Sequence, residues 1–258
     1  MSGIANSTIP GLTVLSVPIE PPEIIYRSSA VLVVNKPGGL LTQAPPGIDS
    51  MEVRVRQFLE TGLEPPYVGC LHRLDRPVSG LLAFGLTKRA TKKIAIQFET
   101  REVRKKYWAI VSGIPENSQG TWLDMMRKVP DEPRSEVVSA GDPDAKQAIL
   151  NYKVLARNDG WSWLEIELET GRTHQIRLQC ASNLVPLLGD EMYGSTIPFG
   201  PQMPDVRLRC ISLHARQLGF FDPGSQSRVE LQAPLPASWH DMKHRFADLI
   251  FEQDSPPG

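Results

Sequence analysis

The sequence predicts an α+β domain built on a largely antiparallel sheet, and three observations carry that prediction. Two strand-like segments, "AILNYKVLAR" and "WSWLEIELET", are joined by the tight turn "NDG", a connection that antiparallel neighbours use. In the second segment Leu164, Ile166 and Leu168 alternate with Glu165, Glu167 and Glu169, the period of two that marks a half-buried strand. The regular alternation of strand and helix that would indicate a parallel sheet is missing.

Taken in order, residues from Met1 to about Pro22 lack apolar periodicity and read as an arm. "AVLVVNKPGG" reads as a short buried strand, Val31 to Val34, stopped by a turn at Pro37-Gly38-Gly39. "SMEVRVRQFLE" suggests a short helix and "SGLLAFGLT" a second strand. Thr87 then stands as N-cap of a helix running to about Phe98, because Ala90, Ile94 and Phe98 recur every fourth residue. "VRKKYWAIVSG" is a strand ending at Gly113, and the proline-bearing, charged stretch from about Ile114 to Ala145 is expected to be a mobile connection. "TGRTHQIRLQCASNL" reads as a turn feeding a helix whose apolar stripe is Ile176, Cys180 and Leu184. After the turn-rich "LGDEMYGS" come strands at "ISLHARQLGFFDP" and "SRVELQAP", and a closing helix from about Ser238 to Phe251.

Bulk properties set outer limits. A chain of 258 residues is long enough to bury a substantial core without covalent staples. Its 3 cysteines, Cys70, Cys180 and Cys210, are odd in number and widely spaced, which suggests neither a disulfide framework nor a zinc knuckle and fits a reducing compartment. The first positive charge after the initiator is Arg27, so a signal peptide is not expected, and no apolar run reaches the roughly 18 to 20 residues that span a bilayer. A net charge of -1 does not announce a nucleic-acid partner, yet eight Lys or Arg between Lys88 and Lys106 face only Glu99 and Glu102.

Several motifs fail when tested. "NKPGGL" lacks the lysine spacing of a phosphate loop, Pro77 stands where a nucleophile elbow around Ser79 needs glycine, and "HDMKH" has no third metal ligand. Two places survive: "HRLD", His72 to Asp75, and "GRTHQIR", Gly171 to Arg177. Each sets charged groups among apolar neighbours, where they need partners. Ion pairs that merely fix two loops would satisfy that need as well as a reactive site would.

Together with their neighbours these segments resemble a known family. "VLVVNKPGGLLT", "HRLDRPVSGLLAFGLTKRA", "QFETREVRKKYWAIVSG", "ETGRTHQIRLQCA", "PLLGDEMYGS" and "SLHARQLGFFDPG" match, in order and spacing, the motifs of the RluA-type pseudouridine synthases, from about residue 25 to about residue 246. The resemblance implies a pseudouridine-synthase-like domain, a central, largely antiparallel mixed β-sheet flanked by helices, that isomerises uridine within ribosomal or transfer RNA. With the aperiodic lead-in and the tail "QDSPPG", which is expected to be disordered, the chain divides into an arm over 1–24, a catalytic domain over 25–251 and a disordered tail over 252–258. A segment of 24 residues is too short for the extra RNA-binding domain of some relatives, so recognition is expected from the catalytic domain or the 114–145 connection.

By the same resemblance Asp75 is the catalytic carboxylate. Three routes stay open for it: attack on C1′, attack on C6 of the uracil, or removal of the 2′ proton. Arg177 is implied as the salt-bridge partner, its planar fork meeting both carboxylate oxygens, and Leu178 as a packing surface for the base. Tyr107 would stack on the uracil and accept the C5 proton, and Arg73 would fill the gap left by a flipped base. Val78 departs from the threonine usual at its position. No metal or organic cofactor is implied, since isomerisation needs no net redox, hydrolysis or group donor. A cytoplasmic monomer without membrane association is expected. Two rivals compete: a noncatalytic RNA-binding relative of the same fold, and a hydrolase, which would set a second carboxylate beside the first.

Overall fold

The structure, a computed structural model, describes residues 20–246 except 63 and 159. The expected tail, most of the expected arm and the end of the closing helix lie outside the described residues. In chain order the elements are β1 (Glu23–Arg27), β2 (Val31–Lys36), α1 (Met51–Leu59), β3 (Gly69–Cys70), β4 (Ser79–Gly85), α2 (Lys88–Glu99), β5 (Arg104–Ser112), β6 (Gln119–Lys128), β7 (Ser135–Val137), β8 (Lys146–Asn158), β9 (Trp161–Leu168), α3 (Gln175–Ser182), β10 (Leu213–Asp222), β11 (Ser227–Gln232) and α4 (Ala237–Lys243).

The strands form one sheet in the order β1-β2-β4-β10-β5-β9-β8-β6-β7, with β11 on β10 and β3 on β4. Among the described strand-to-strand pairings only β10 with β4 is parallel, so the expected α+β class with a mixed, mostly antiparallel sheet holds. Alternation along β2 and β4 sorts the core onto two faces. Val31, Val33, Leu81 and Ala83 pack with Ala90 and Ile94 of α2, while Leu32, Val34, Leu82 and Phe84 join the larger cluster containing Tyr107, Ile166 and Ile176. Each such Val, Leu or Ile contributes about 1.5 to 3 kcal/mol by leaving water. The Thr87 cap is formed as its sequence implies, with Oγ1 accepting from the Ala90 amide at 3.1 Å.

Three expectations are corrected. The 114–145 segment is not a loose connection: β6 pairs with β8 from Gln119↔Lys153 to Met126↔Lys146, and β7 pairs with β6. Its prolines, Pro115, Pro130, Pro133 and Pro143, stand between strands, where a missing amide hydrogen removes no ladder bond. Leu184 does not continue the stripe of α3; it is 86% exposed. The helix ends at Ser182 because Leu184 takes a left-handed φ of 61°, its amide donating to Ala181 O and that of Val185 to Cys180 O, a Schellman closure. Finally, β1 begins at Glu23, inside the segment expected to be an arm. Among the described residues no helix is long and apolar enough to cross a membrane.

Candidate active site

The loop from Leu71 to Val78 carries "HRLD" between β3 and β4, and backbone bonding fixes it from both sides. Thr42 Oγ1 donates to Leu74 O at 2.8 Å and accepts from Leu74 N at 3.1 Å. His72 Nε2 accepts from Ala83 N at 3.2 Å, which ties the loop to its own following strand. The "NKPGG" turn clamps the residue after Asp75: Gly39 N donates to Arg76 O at 2.8 Å, and Arg76 Nε returns a bond to Gly39 O at 2.9 Å. A side chain at Gly39, where φ is +84°, would stand 2.6 Å from Leu208 O, so only glycine fits. Lys36, wholly buried, points its ammonium at the carbonyls of Pro37, Leu40 and Arg76 at 2.9, 2.7 and 3.2 Å. Burial pushes its pKa down to about 7, opposed by the charge of Asp75. The motif that fails as a phosphate cradle is thus a brace beneath the carboxylate.

The facing wall is "GRTHQIR". His174 sits at the N-terminus of α3 with a left-handed φ of 55°, and Gln175 through Cys180 are all buried. The Gln175 amide satisfies its burial fully: Oε1 accepts from Thr170 Oγ1 and Arg172 N, and Nε2 donates to Ile149 O and Gln179 Oε1.

The two walls meet at Asp75. Arg177 Nη1 stands 3.5 Å and His174 Nε2 3.6 Å from Asp75 Oδ2. The expectation that the guanidinium fork would grip Asp75 through both oxygens is overturned. The fork closes on Asp190 instead, Nε to Oδ2 and Nη2 to Oδ1, both at 2.7 Å. The reason is burial: Asp190 has lost its water and needs full hydrogen bonding, whereas Asp75 keeps part of its hydration. Tyr193 completes the group. Its ring centre lies 5.0 Å from the Arg177 guanidinium carbon, and its hydroxyl is 3.0 Å from His174 Nδ1 and accepts from Ser135 N at 2.9 Å.

Asp75, Tyr107, His174 and Arg177 line one cleft of about 1240 Å³. Tyr107, on β5 between Ile166 and Ala215, is buried, and desolvation together with the Asp75 charge pushes its phenol well above the usual range. Its hydroxyl therefore stays protonated at neutral pH, which suits a wall better than a proton acceptor. Arg73 is exposed at the rim. Leu178 lies elsewhere, buried against Met126, Ala148 and Tyr193; Ile176 and Leu213 supply the apolar lining. The basic run divides: Lys88, Arg89, Lys92 and Lys93 sit exposed on α2, while Arg101, Arg104 and Lys105 border the cleft with Lys128 and Arg172.

Sequence reasoning missed Lys36, Thr42, Asp190 and Tyr193 as parts of this site. "PLLGDEMYGS" was the available signal for the last two, since an acid between two turn glycines is a poor fit to any helix or strand.

Comparison with known proteins identifies the family. A family model described as RNA pseudouridylate synthase matches residues 30–182. An uncharacterized RNA pseudouridine synthase, YlyB of Bacillus subtilis, is 33% identical over 89% of this chain and 75% of its own. The ribosomal large subunit pseudouridine synthase D of Zymomonas mobilis is 32% identical over 89% of this chain and 73% of its own. Among solved structures, human RNA pseudouridylate synthase domain containing 1 superposes with a TM-score of 0.66 at 27% identity, covering 84% of each chain.

Proposed function

The chain belongs to the RNA pseudouridylate synthase family, whose enzymes are isomerases acting on RNA, and from that premise we propose that it converts uridines of ribosomal or transfer RNA to pseudouridine with Asp75 as the catalytic carboxylate. The observation that carries the proposal is the meeting of Asp75, Arg177 and Tyr107, from three distant segments, in one cleft. The reaction cuts the bond from ribose C1′ to N1, turns the freed uracil and rejoins it through C5. A carboxylate serves each of the three open routes, as nucleophile at C1′ or C6 or as base toward the 2′ proton.

A stacked uridine does not offer these atoms, so the nucleotide must leave its helix. Tyr107, Ile176 and Leu213 then offer the extruded ring flat and apolar contacts, and the exposure of Arg73 at the rim supports its assignment to the gap that the flipped base leaves. Arg177 and His174 keep donors toward Asp75 without enclosing it. Phosphates are met by Arg101, Arg104, Lys105, Lys128 and Arg172, which give affinity without reading sequence and make it fall with salt. Relatives named for the ribosomal large subunit make its RNA the first substrate to test, and support a cytoplasmic setting. We take residues 25–251 as the catalytic domain, acting as a monomer.

The test is tritium release from bulk unmodified RNA labelled at uracil C5. Wild type is expected to release label, and Asp75→Asn to lose at least about 10⁴-fold in rate, the scale seen when a residue that makes or breaks the bond is removed. Equal release by both proteins would refute the assignment.

A further inference from the structure

The basic run that follows β4 splits in two, and the cleft uses only the second part. Of α2 itself, Phe98 and Glu99 at the C-terminal end line the cleft, followed by Arg101, Arg104 and Lys105. Lys88, Arg89, Lys92 and Lys93 lie exposed nearer the N-terminus, and none of them lines the cleft. At 1.5 Å of rise per residue, Lys88 stands about 15 Å along the helix axis from Phe98.

That arrangement is unfavourable for the protein alone. A helix N-terminus favours acids, yet the first turn of α2 holds none and begins with two cations. Lys88 with Lys92 and Arg89 with Lys93 are like-charge pairs at i, i+4, which oppose helix formation. Among the described residues none of the four forms an ion pair, whereas Arg54, Arg56, Lys106, Arg127, Arg207 and Arg209 each have one. The helix is nevertheless firmly held. Ala90 and Ile94 enter the core, and Gln97 bonds both backbone groups of Phe221, its Nε2 donating to the carbonyl and its Oε1 accepting from the amide, each at 2.8 Å. Thr91 packs where Gly69 and Gly85 have no side chain.

The four cations thus stand on a rigid face whose mutual repulsion a polyanion would relieve. Ile96, 46% exposed, is the one large apolar side chain that α2 exposes among the described residues, whereas protein partners are held around buried apolar and aromatic anchors. A sugar-phosphate backbone needs only the charges.

We propose that the exposed face of α2 is a second RNA-contact surface outside the cleft, on which Lys88, Arg89, Lys92 and Lys93 hold phosphates of the RNA flanking the target uridine. This inference rests on the reading that the substrate is RNA. At the roughly 3.4 Å of axis that a duplex strand takes per nucleotide, the face extends the footprint by about four to five nucleotides beyond the cleft rim.

The experiment combines filter binding of large-subunit ribosomal RNA between about 0.05 and 0.2 M salt with tritium release from the same RNA labelled at uracil C5. It compares wild type, Asp75→Asn and the fourfold variant Lys88→Gln, Arg89→Gln, Lys92→Gln, Lys93→Gln. It also sets the pair Lys92→Gln, Lys93→Gln against a pair of equal charge on β8, Lys153→Gln with Arg157→Gln, both exposed and outside the cleft lining. The fourfold variant should bind at least about tenfold more weakly, and its plot of log affinity against log salt should flatten by about 3, four phosphate contacts at roughly 0.7 to 0.9 each. Its kcat at saturating RNA should stay within a few-fold of wild type, because no residue of the cleft is altered. The Lys92 and Lys93 pair should give about half that flattening, and the β8 pair none.

A slope changed by less than about one contact in the fourfold variant would overturn the inference and leave the face to an acidic protein. An equal loss in the β8 pair would overturn it as well, by assigning the effect to net charge, and so would a fall in kcat at wild-type affinity. If the fourfold variant does not fold, the Lys92 and Lys93 pair decides by the same comparison. Failure of the underlying function reading looks different: wild type would release no tritium, or Asp75→Asn would release it as fast as wild type.

Discussion

Two turns present an aspartate to the same guanidinium, and they treat it differently. On the turn after α3, Asp190 is 1% exposed and takes two bonds of 2.7 Å from the guanidinium; in the loop before β4, Asp75 is 30% exposed and meets the guanidinium once, at 3.5 Å, with His174 at 3.6 Å. The first carboxylate is saturated, and it serves to neutralise and aim a buried cation. The second is under-coordinated and borders the cleft. The contrast teaches that strength of pairing marks the structural acid, and that the reactive one is recognised by what it lacks.

The largest effect on stability should follow loss of the saturated acid. Asp190→Ala leaves Arg177 buried beside an empty edge, and chemical denaturation should show a loss of about 3 to 5 kcal/mol. A loss under about 1 kcal/mol would erase the distinction between the two turns. The cleft side is sharpened by a pair of substitutions at Tyr107. Tyr107→Ala removes the flat wall and should weaken turnover by about 1 to 3 kcal/mol of transition-state energy, the worth of one base stacked on an aromatic ring. Tyr107→Phe should stay within a few-fold of wild type in single-turnover rate, because the hydroxyl it removes is protonated throughout the working range.

The last effect is a pH slope. His214, fully buried and 2.8 Å through Nδ1 from Ser79 Oγ, is pushed down to about 3 by burial and by the charge of Arg216. An unfolded imidazole titrates near the ordinary value of 6.5, so between these values the unfolded chain holds more protons. Stability from this group is therefore complete above the upper value and is lost as pH falls toward the lower one. Thermal midpoints between pH 6 and 4, read for wild type and His214→Gln, should show a flatter slope in the variant. An identical slope would assign the acid sensitivity to other groups.

Much of this arrangement was legible in the chain itself. Thr87 ahead of a four-residue apolar repeat announced α2, and the Leu–Glu alternation announced β9, because local chemistry and tertiary packing agree there. "HRLD" and "GRTHQIR" stood out since charges flanked by apolar residues need partners. The strands β6 and β7 were hidden by the prolines around them, which mark strand ends as readily as loops. The end of α3 was misread because Leu184 fits the repeat, and its departure depends on a left-handed closure that no side-chain pattern announces. Asp190 was missed as a partner of Arg177 because 13 residues and a non-periodic turn separate them, and only the fold decides which of two acids receives the fork.

Chemical denaturation of Asp75→Asn, read beside its tritium release, tests the division of labour between the two acids most directly. The account predicts an unfolding free energy within about 1 kcal/mol of wild type, as befits a loosely held charge, together with loss of release. A variant destabilised as severely as Asp190→Ala, or one that still releases label, would contradict it.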